Sequence, residues 1–151
     1  MIISIASDHA GFAQKQQLKT FLQKAGHTII DRGPDNDDRV DYPDFAVLVA
    51  HDVAQGRAER GVLVCGTGIG MAMAADKVPG IRAATITTPQ FATLCREHNN
   101  CNVIALSGRF VEETTNEQIL ALFTTTAFGG GRHAGRVEKI MRIDQESPAE
   151  R

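Results

Sequence analysis

The sequence predicts a three-layer, Rossmann-like α/β sandwich: a five-stranded parallel sheet, helices on both faces, and one extra helix at the C-terminal end. Three observations carry that reading. Short apolar, β-branched runs alternate with longer segments of helical periodicity, and parallel strands need such crossovers. Glycine and proline punctuate the alternation at Gly26, Gly33-Pro34, Gly56, Pro79-Gly80 and Gly129-Gly130-Gly131. The last helical segment has no strand after it, so the sheet does not require it, and it is free to reach toward another subunit. No internal repeat or low-complexity stretch interrupts the pattern, and residues 1–151 read as one domain with one adequate core.

The elements follow in order. Ile2–Ser7 is a first strand, ended by Asp8-His9-Ala10-Gly11. A helix over Phe12–Ala25 places Phe12, Leu18, Phe21, Leu22 and Ala25 on one apolar stripe, with Gly26 just past its end. His27–Asp31 is a second strand, and Gly33 to Asp38 is turn chemistry throughout. Asp41-Tyr42-Pro43-Asp44 opens a helix that runs to about Gln55. A third strand ends at Cys65 and is followed by a helix from Met71 to Lys77. Ile81–Ile86 is a fourth strand, and Thr88-Pro89 starts a helix to about Glu97. Asn102–Leu106 is the fifth strand, with a helix over Glu112–Thr126. The terminal helix runs from His133 to about Gln145, and the tail beyond Ser147 is expected to fray.

The chain is organised around Gly61-Val62-Leu63-Val64-Cys65-Gly66-Thr67-Gly68-Ile69-Gly70-Met71. A buried strand, a glycine turn and a helix start point backbone N–H groups at one spot, where an anion can rest. A cysteine beside such donors has its thiolate favoured. Gly66, Gly68 and Gly70 give G-x-G-x-G rather than the dinucleotide fingerprint, since Met71 stands in the third glycine's place. The G-K-[ST] ending of a phosphate-binding P-loop is also absent. Taken alone, the loop is equally a close-packing device, with Cys65 a small buried hydrophobe.

Composition narrows the function classes. Charged residues at 23% and hydrophobic residues at 42% describe an ordinary globular protein, and a net charge of −2 offers no basic field for nucleic acid. Three cysteines without a C-x-x-C pair read as free thiols in a reducing compartment. The N-terminal apolar run is too short for a signal peptide and no run approaches a membrane span, so the expectation is a cytoplasmic protein.

In a parallel sheet the ligand site lies beyond the carboxyl ends of the strands. That rule gathers Asp8 and His9 after strand one, Cys65 to Gly70 after strand three, and Ser107-Gly108-Arg109 after strand five. By itself, Asp8-His9 is a polar turn with Asp8 as a cap. His98-Asn99 close the fourth helix, where a histidine is ordinary dipole chemistry. Arg132 and Arg136 are four apart near the start of the last helix, where the dipole disfavours cations; a phosphate explains them, and so does a solvated surface pair. Cys95-x-x-His98-x-x-Cys101 has metal-like spacing but lacks a second cluster of ligands, so no metal is expected. Cys95 belongs instead on its helix's buried face.

Asp8-His9-Ala10-Gly11, Asp41-Tyr42-Pro43, Cys65-Gly66-Thr67-Gly68-Ile69-Gly70, Gly80-Ile81-Arg82-Ala83, His98-Asn99 and Gly130-Gly131-Arg132-His133-x-x-Arg136 together resemble ribose-5-phosphate isomerase type B. The likeness covers roughly Ile2 to Ile143, with the motifs in the family's order. It implies interconversion of an aldose phosphate and its ketose without metal or organic cofactor, in a homodimer or homotetramer whose active site lies between subunits. Carried over, Cys65 is the base moving a proton between C1 and C2, and Thr67 with the amides of Gly66, Gly68, Ile69 and Gly70 stabilises the enediolate. His98, from a partner subunit, helps open the sugar ring, with Asp8 assisting. His9, Arg132 and Arg136 hold the phosphate, while Tyr42, Asn99 and Arg109 line the site. An enediolate route needs a base poised near neutral pH and fixed donors for developing oxyanion charge, and a thiol beside a glycine turn offers both.

The sequence departs from that family at Asp76, Asn100, Cys101 and Phe110. None of these replaces a residue assigned chemistry, so they bear on substrate choice more than on activity. Some members use a glutamate further along the glycine loop; this chain resembles the cysteine type. The leading expectation is a pentose phosphate pathway enzyme acting on ribose 5-phosphate. Isomerisation of a 6-phosphohexose such as allose or galactose 6-phosphate keeps the same chemistry. A non-catalytic sugar-phosphate-binding subunit is disfavoured by Cys65, Thr67, Asp8 and His98 occurring together, and a nucleotide-binding domain by the incomplete fingerprint.

Overall fold

Side-chain alternation along the central strands decides the architecture. A computed structural model describes residues 1–145; the tail beyond Ser147 lies outside them. Strands β1 (Ile2–Ser7), β2 (Thr28–Asp31), β3 (Arg60–Cys65), β4 (Ala83–Thr85) and β5 (Val103–Ser107) form one parallel sheet in the order β2-β1-β3-β5-β4. Val62 and Val64 of β3 and Ile104 and Leu106 of β5 face one core, with Leu18, Leu22, Ile119, Leu120 and Phe123. Leu63 and Cys65, with Val103 and Ala105, face the other, against Ala46, Val49, Ala50, Met71 and Ala75. Both faces are therefore covered, the first by α1 (Phe12–Lys24), α4 (Pro89–Asn99) and α5 (Glu113–Thr125), the second by α2 (Tyr42–Ala54) and α3 (Ile69–Ala75). A last helix, α6 (Ala134–Ile143), follows a 3₁₀ turn at Gly131–His133.

The expected elements form, and their boundaries shift for identifiable reasons. Helix α3 starts at Ile69 rather than Met71, because left-handed Gly68 (φ 81°) turns the chain two residues earlier. Helix α4 extends to Asn99, so His98 and Asn99 lie in its last turn; Asn100 ends it in the left-handed conformation asparagine tolerates. Its start is as read: the Thr88 hydroxyl accepts from the Phe91 amide at 3.3 Å. Strand β4 is only three residues long, since the Arg82 amide donates to Asn102 Oδ1 at 2.8 Å instead of to the ladder. Arg132 sits in the 3₁₀ turn and Arg136 in α6, so the two do not share one regular helix.

Two buried charges hold the strands to their helices, and periodicity gave no hint of either. Lys15, on the α1 stripe, is fully buried, and its ammonium donates to Asp31 Oδ1 (2.9 Å) and the Pro34 carbonyl (3.0 Å). Ala25, expected on that stripe, is exposed. Burial alone pushes the Asp31 carboxyl up, but hydrogen bonds from Lys15 and Lys19 outweigh it and hold it below the usual carboxylate range. At the end of α2, the buried Asp52 carboxylate accepts from Ser4 Oγ (2.7 Å), Arg32 Nε (2.7 Å) and Nη2 (2.6 Å), and Arg57 Nε (2.7 Å). Here too burial opposes ionisation and the three donors prevail, leaving the pKa depressed. Helix α6 packs along the β4 side of its own chain: the Gly80 amide donates to Asp144 Oδ2 at 2.8 Å, and Arg82 Nη1 meets Met141 Sδ at 2.9 Å.

Candidate active site

Strand order reverses at β1, whose neighbours are β2 on one side and β3 on the other, and the crevice outside such a reversal is where open parallel sheets bind ligands. Backbone hydrogen bonds stitch three strand-end loops together there. The Asp8 amide donates to the Val64 carbonyl (3.1 Å), the Gly108 amide to the Cys65 carbonyl (2.8 Å), and the Arg109 amide to the Gly66 carbonyl (3.3 Å). Ser107, opposite Cys65 in register, donates from Oγ to the Gly66 carbonyl (2.8 Å) and accepts from the Phe110 amide (2.9 Å). Ser107 thus ties the Gly66 and Phe110 backbones together; the sequence placed it near the site without giving it a role.

The glycine turn holds Cys65, the residue expected to be the base. Cys65 is 5% exposed, and its sulfur accepts the Gly68 amide at 3.1 Å. Gly68 allows this through its positive φ, and a Cβ there would also lie 2.9 Å from the Ala105 carbonyl oxygen. The Ile69 amide donates to Thr67 Oγ1 at 3.2 Å. Two of the loop amides are thus spent on orienting Cys65 and Thr67. Ile69 itself points its side chain outward at 56% exposure, and Gly68 lies beneath the loop; neither lines the cleft.

Around this turn Asp8, His9, Tyr42, Gly66, Thr67, Gly70 and Arg109 enclose, with Cys65, a cleft of about 250 Å³. Asp8 is buried and accepts the Gly11 amide at 2.9 Å; it braces its own loop and is not the cap of α1, which is Gly11. His9 Nδ1 lies 3.3 Å from the Val40 carbonyl oxygen and 3.4 Å from its amide, tying the β1 loop to the segment before α2. Tyr42, the first residue of α2, lays its ring on Gly70, where a Cβ would sit 2.6 Å from Cζ.

His98, Asn99, Arg132 and Arg136 are not part of this cleft. They gather at the C-terminal end of α4 and the start of α6, where the His98 ring stacks on His133 with centroids 4.2 Å apart and planes 12° from parallel. Desolvation holds the His133 imidazole below its ordinary range, and the positive charges of His98, Arg132 and Arg136 lower it further. This is a compact basic cluster with His133 at its centre. The spacing of Arg132-His133-x-x-Arg136 marked the segment but not the ring contact. Cys95 and Cys101 are both buried and Cys95 faces the core, so the C-x-x-H-x-x-C spacing does not gather its three side chains at one point. Among the described residues no group of three or more His, Cys, Asp or Glu could hold a metal ion, and no helix is long and apolar enough to cross a membrane.

Known proteins give this geometry a context. The chain is 40% identical to ribose-5-phosphate isomerase B of Escherichia coli over 143 residues, covering 95% of this chain and 96% of that one. The structure of Clostridium thermocellum ribose-5-phosphate isomerase B matches with a TM-score of 0.94 at 45% identity, covering 96% of this chain and 98% of that one. The Mycoplasma genitalium ribose-5-phosphate isomerase B structure, which holds ribulose 5-phosphate, matches with a TM-score of 0.93 at 42% identity and 97% coverage of both chains. Residues 3–140 match the family model described as Ribose/Galactose Isomerase, and the chain belongs to that family.

Proposed function

We propose that this chain interconverts D-ribose 5-phosphate and D-ribulose 5-phosphate through an enediolate, as a cytoplasmic enzyme of the pentose phosphate pathway built from a single domain. The observation that carries the reading is the Cys65 sulfur, held 3.1 Å from the Gly68 amide at the edge of a cleft where strand-end loops converge. In the aldose-to-ketose direction Cys65 takes the proton from C2 and returns it to C1. The Gly68 amide, donating to the sulfur at 3.1 Å, aims it for that transfer. Negative charge developing on the C1 and C2 oxygens falls on Thr67 and the remaining amides of the Gly66–Gly70 loop, whose positions are fixed before substrate arrives.

The phosphate end and the ring-opening step call on the second cluster. His98 is the acid/base that opens the furanose, a role suited to imidazole near neutral pH. Arg132 and Arg136, with His9 from the cleft, hold the phosphate through charge-assisted hydrogen bonds. Asp8 steadies ring and hydroxyl oxygens, and Tyr42, Asn99 and Arg109 line the path. Since His98, Asn99, Arg132 and Arg136 do not line the cleft of their own chain, a second copy supplies them in a homodimer or homotetramer. Binding energy from the phosphate, remote from the reacting carbons, orients C1 and C2 against the thiol. No cofactor enters this scheme.

Turnover of ribose 5-phosphate and allose 6-phosphate measured side by side tests the reading. Faster turnover of the pentose supports it. Preference for the hexose keeps the chemistry and changes the substrate, and turnover of neither overturns it.

A further inference from the structure

A second cleft, of about 490 Å³, lies on the β4 side, between the end of α4 and helix α6. Cys95 and Cys101 both form part of its wall, together with Arg82, Asp76, Asn99 and Asp144. Neither cysteine has a part in the proposed isomerisation.

The two thiols are placed for one another. Asn100, in the left-handed conformation, folds the chain back so that the Cys101 amide donates to the Cys95 carbonyl at 3.0 Å. The Cys95 S–H donates to the Ala92 carbonyl at 3.2 Å, and both thiols remain reduced. Two guanidinium groups border the pair. Arg96 is buried and donates to the Cys101 carbonyl through Nη1 and to the Thr126 carbonyl through Nε. Arg82 Nε donates to the Asn100 carbonyl at 2.9 Å. Their positive charge favours a thiolate at Cys101, against the opposing carboxylate of Asp76.

We propose that Cys95 and Cys101 form an oxidation site for hydroperoxides, closing to an intramolecular disulfide in the wall of this cleft. The roles of the two sulfurs differ. The neighbouring Cys95 side chain holds the Cys101 thiol below the ordinary thiol range, Arg82 and Arg96 adding to it against burial. The same contact, with burial, pushes the Cys95 thiol up. Cys101, whose own carbonyl accepts from Arg96 and whose preceding carbonyl accepts from Arg82, is the attacking sulfur. Its thiolate forms an S–O bond to one peroxide oxygen as the O–O bond breaks, and the departing alkoxide takes a proton to leave as alcohol. The sulfur of Cys95 then displaces hydroxide from the Cys101 sulfenic acid; the S–S bond forms and the Cys95 proton leaves with the hydroxide as water. Two thiols are oxidised, and one hydroperoxide is reduced to an alcohol and water. The bond would lie in the turn that presents His98 and Asn99.

Peptide mapping tests this on the intact chain. Arg96 lies between the two cysteines, so trypsin separates them, and a disulfide leaves a cross-linked pair of peptides. After brief treatment with hydrogen peroxide and blocking of free thiols, the expected product is the Cys95–Cys101 cross-linked pair, abolished by reductant, with Cys65 still a thiol. In Cys95→Ser the reaction should stall at a Cys101 sulfenic acid, trapped by dimedone about tenfold faster than any at Cys65. Oxidation of Cys65 while Cys95 and Cys101 stay reduced would overturn the proposal. So would a cross-link joining two chains, read from mixed light and heavy isotope preparations. The wild-type map needs no variant to fold, and none of these outcomes depends on which sugar phosphate is turned over.

Discussion

The two regions to which the proposed isomerisation assigns its chemistry are built in opposite ways. The cleft at Cys65 is assembled from strand ends, and backbone hydrogen bonds between loops fix it: Asp8 to Val64, Gly108 to Cys65, Arg109 to Gly66. Its central sulfur is nearly inaccessible and aimed by one amide. The basic cluster at the end of α4 is assembled from side chains on two helical segments, joined by the stacking of His98 on His133 and largely open to solvent. A strand-end site inherits the rigidity of the sheet; a helix-end cluster of long cationic side chains keeps its freedom until an anion arrives. The first suits a proton transfer that tolerates little misplacement. The second suits capture of a phosphate, whose charge does the ordering.

The sharpest way to break this comparison is Cys65→Ala. If the cleft holds the base, turnover of ribose 5-phosphate should fall by about 10²–10⁴-fold, the usual contribution of a positioned general base, while sugar-phosphate binding persists. Calorimetric binding with stopped-flow turnover checks both halves, and unchanged turnover would remove Cys65 from its role.

A second prediction concerns the sheet that the cleft depends on. Asp52→Asn leaves Ser4, Arg32 and Arg57 without their carboxylate. Denaturant unfolding should show a loss of about 3 kcal/mol near neutral pH, the scale of charged hydrogen bonds removed from a buried acceptor. The sign with pH follows from the depressed pKa of Asp52: its stabilisation is complete above the unfolded carboxyl's pKa of about 4 and is lost as pH falls below that. Wild type should therefore weaken on acidification below about pH 4 more steeply than the variant. Parallel acid limbs would mean the network contributes nothing.

What the sequence made legible divides along the same line as the two regions. The cleft could be read because its determinants are local and topological. A strand, Cys65 and alternate glycines specify a turn, and a parallel sheet places the ends of β1, β3 and β5 together. Lys15 could not be read as buried, because the partner that permits it, Asp31, lies on β2. The three-residue length of β4 was hidden for a similar reason: Asn102 takes the Arg82 amide, and no propensity reports that. At the helix end, Arg132 and Arg136 stood out as cations where the dipole disfavours them. The His133 ring against His98 is a contact across 35 positions, set by how the α5–α6 connection folds back; the Gly129 amide reaches the Glu97 carbonyl at 3.0 Å.

Arg136→Ala probes the helix end directly. If Arg136 holds the phosphate, removing it should raise KM for ribose 5-phosphate about tenfold or more, with kcat nearly kept. A fall in kcat at constant KM would instead assign Arg136 to the transition state.

The smallest effect is the most direct report on what the cluster binds. Desolvation and the charges of His98, Arg132 and Arg136 hold His133 below its ordinary range, so its imidazole should titrate lower than that of a free histidine. A dianion seated between Arg132 and Arg136 cancels part of that field. By linkage, binding of inorganic phosphate should move the His133 titration upward, and protonating His133 should in turn tighten phosphate binding. Arg136→Ala should raise the His133 titration without any ligand and shrink the further rise that phosphate causes. NMR titration of the imidazole protons, with and without phosphate, reads all three. If phosphate leaves His133 unmoved while still inhibiting turnover, the anion sits in the cleft with His9, and the division of labour between the two regions fails.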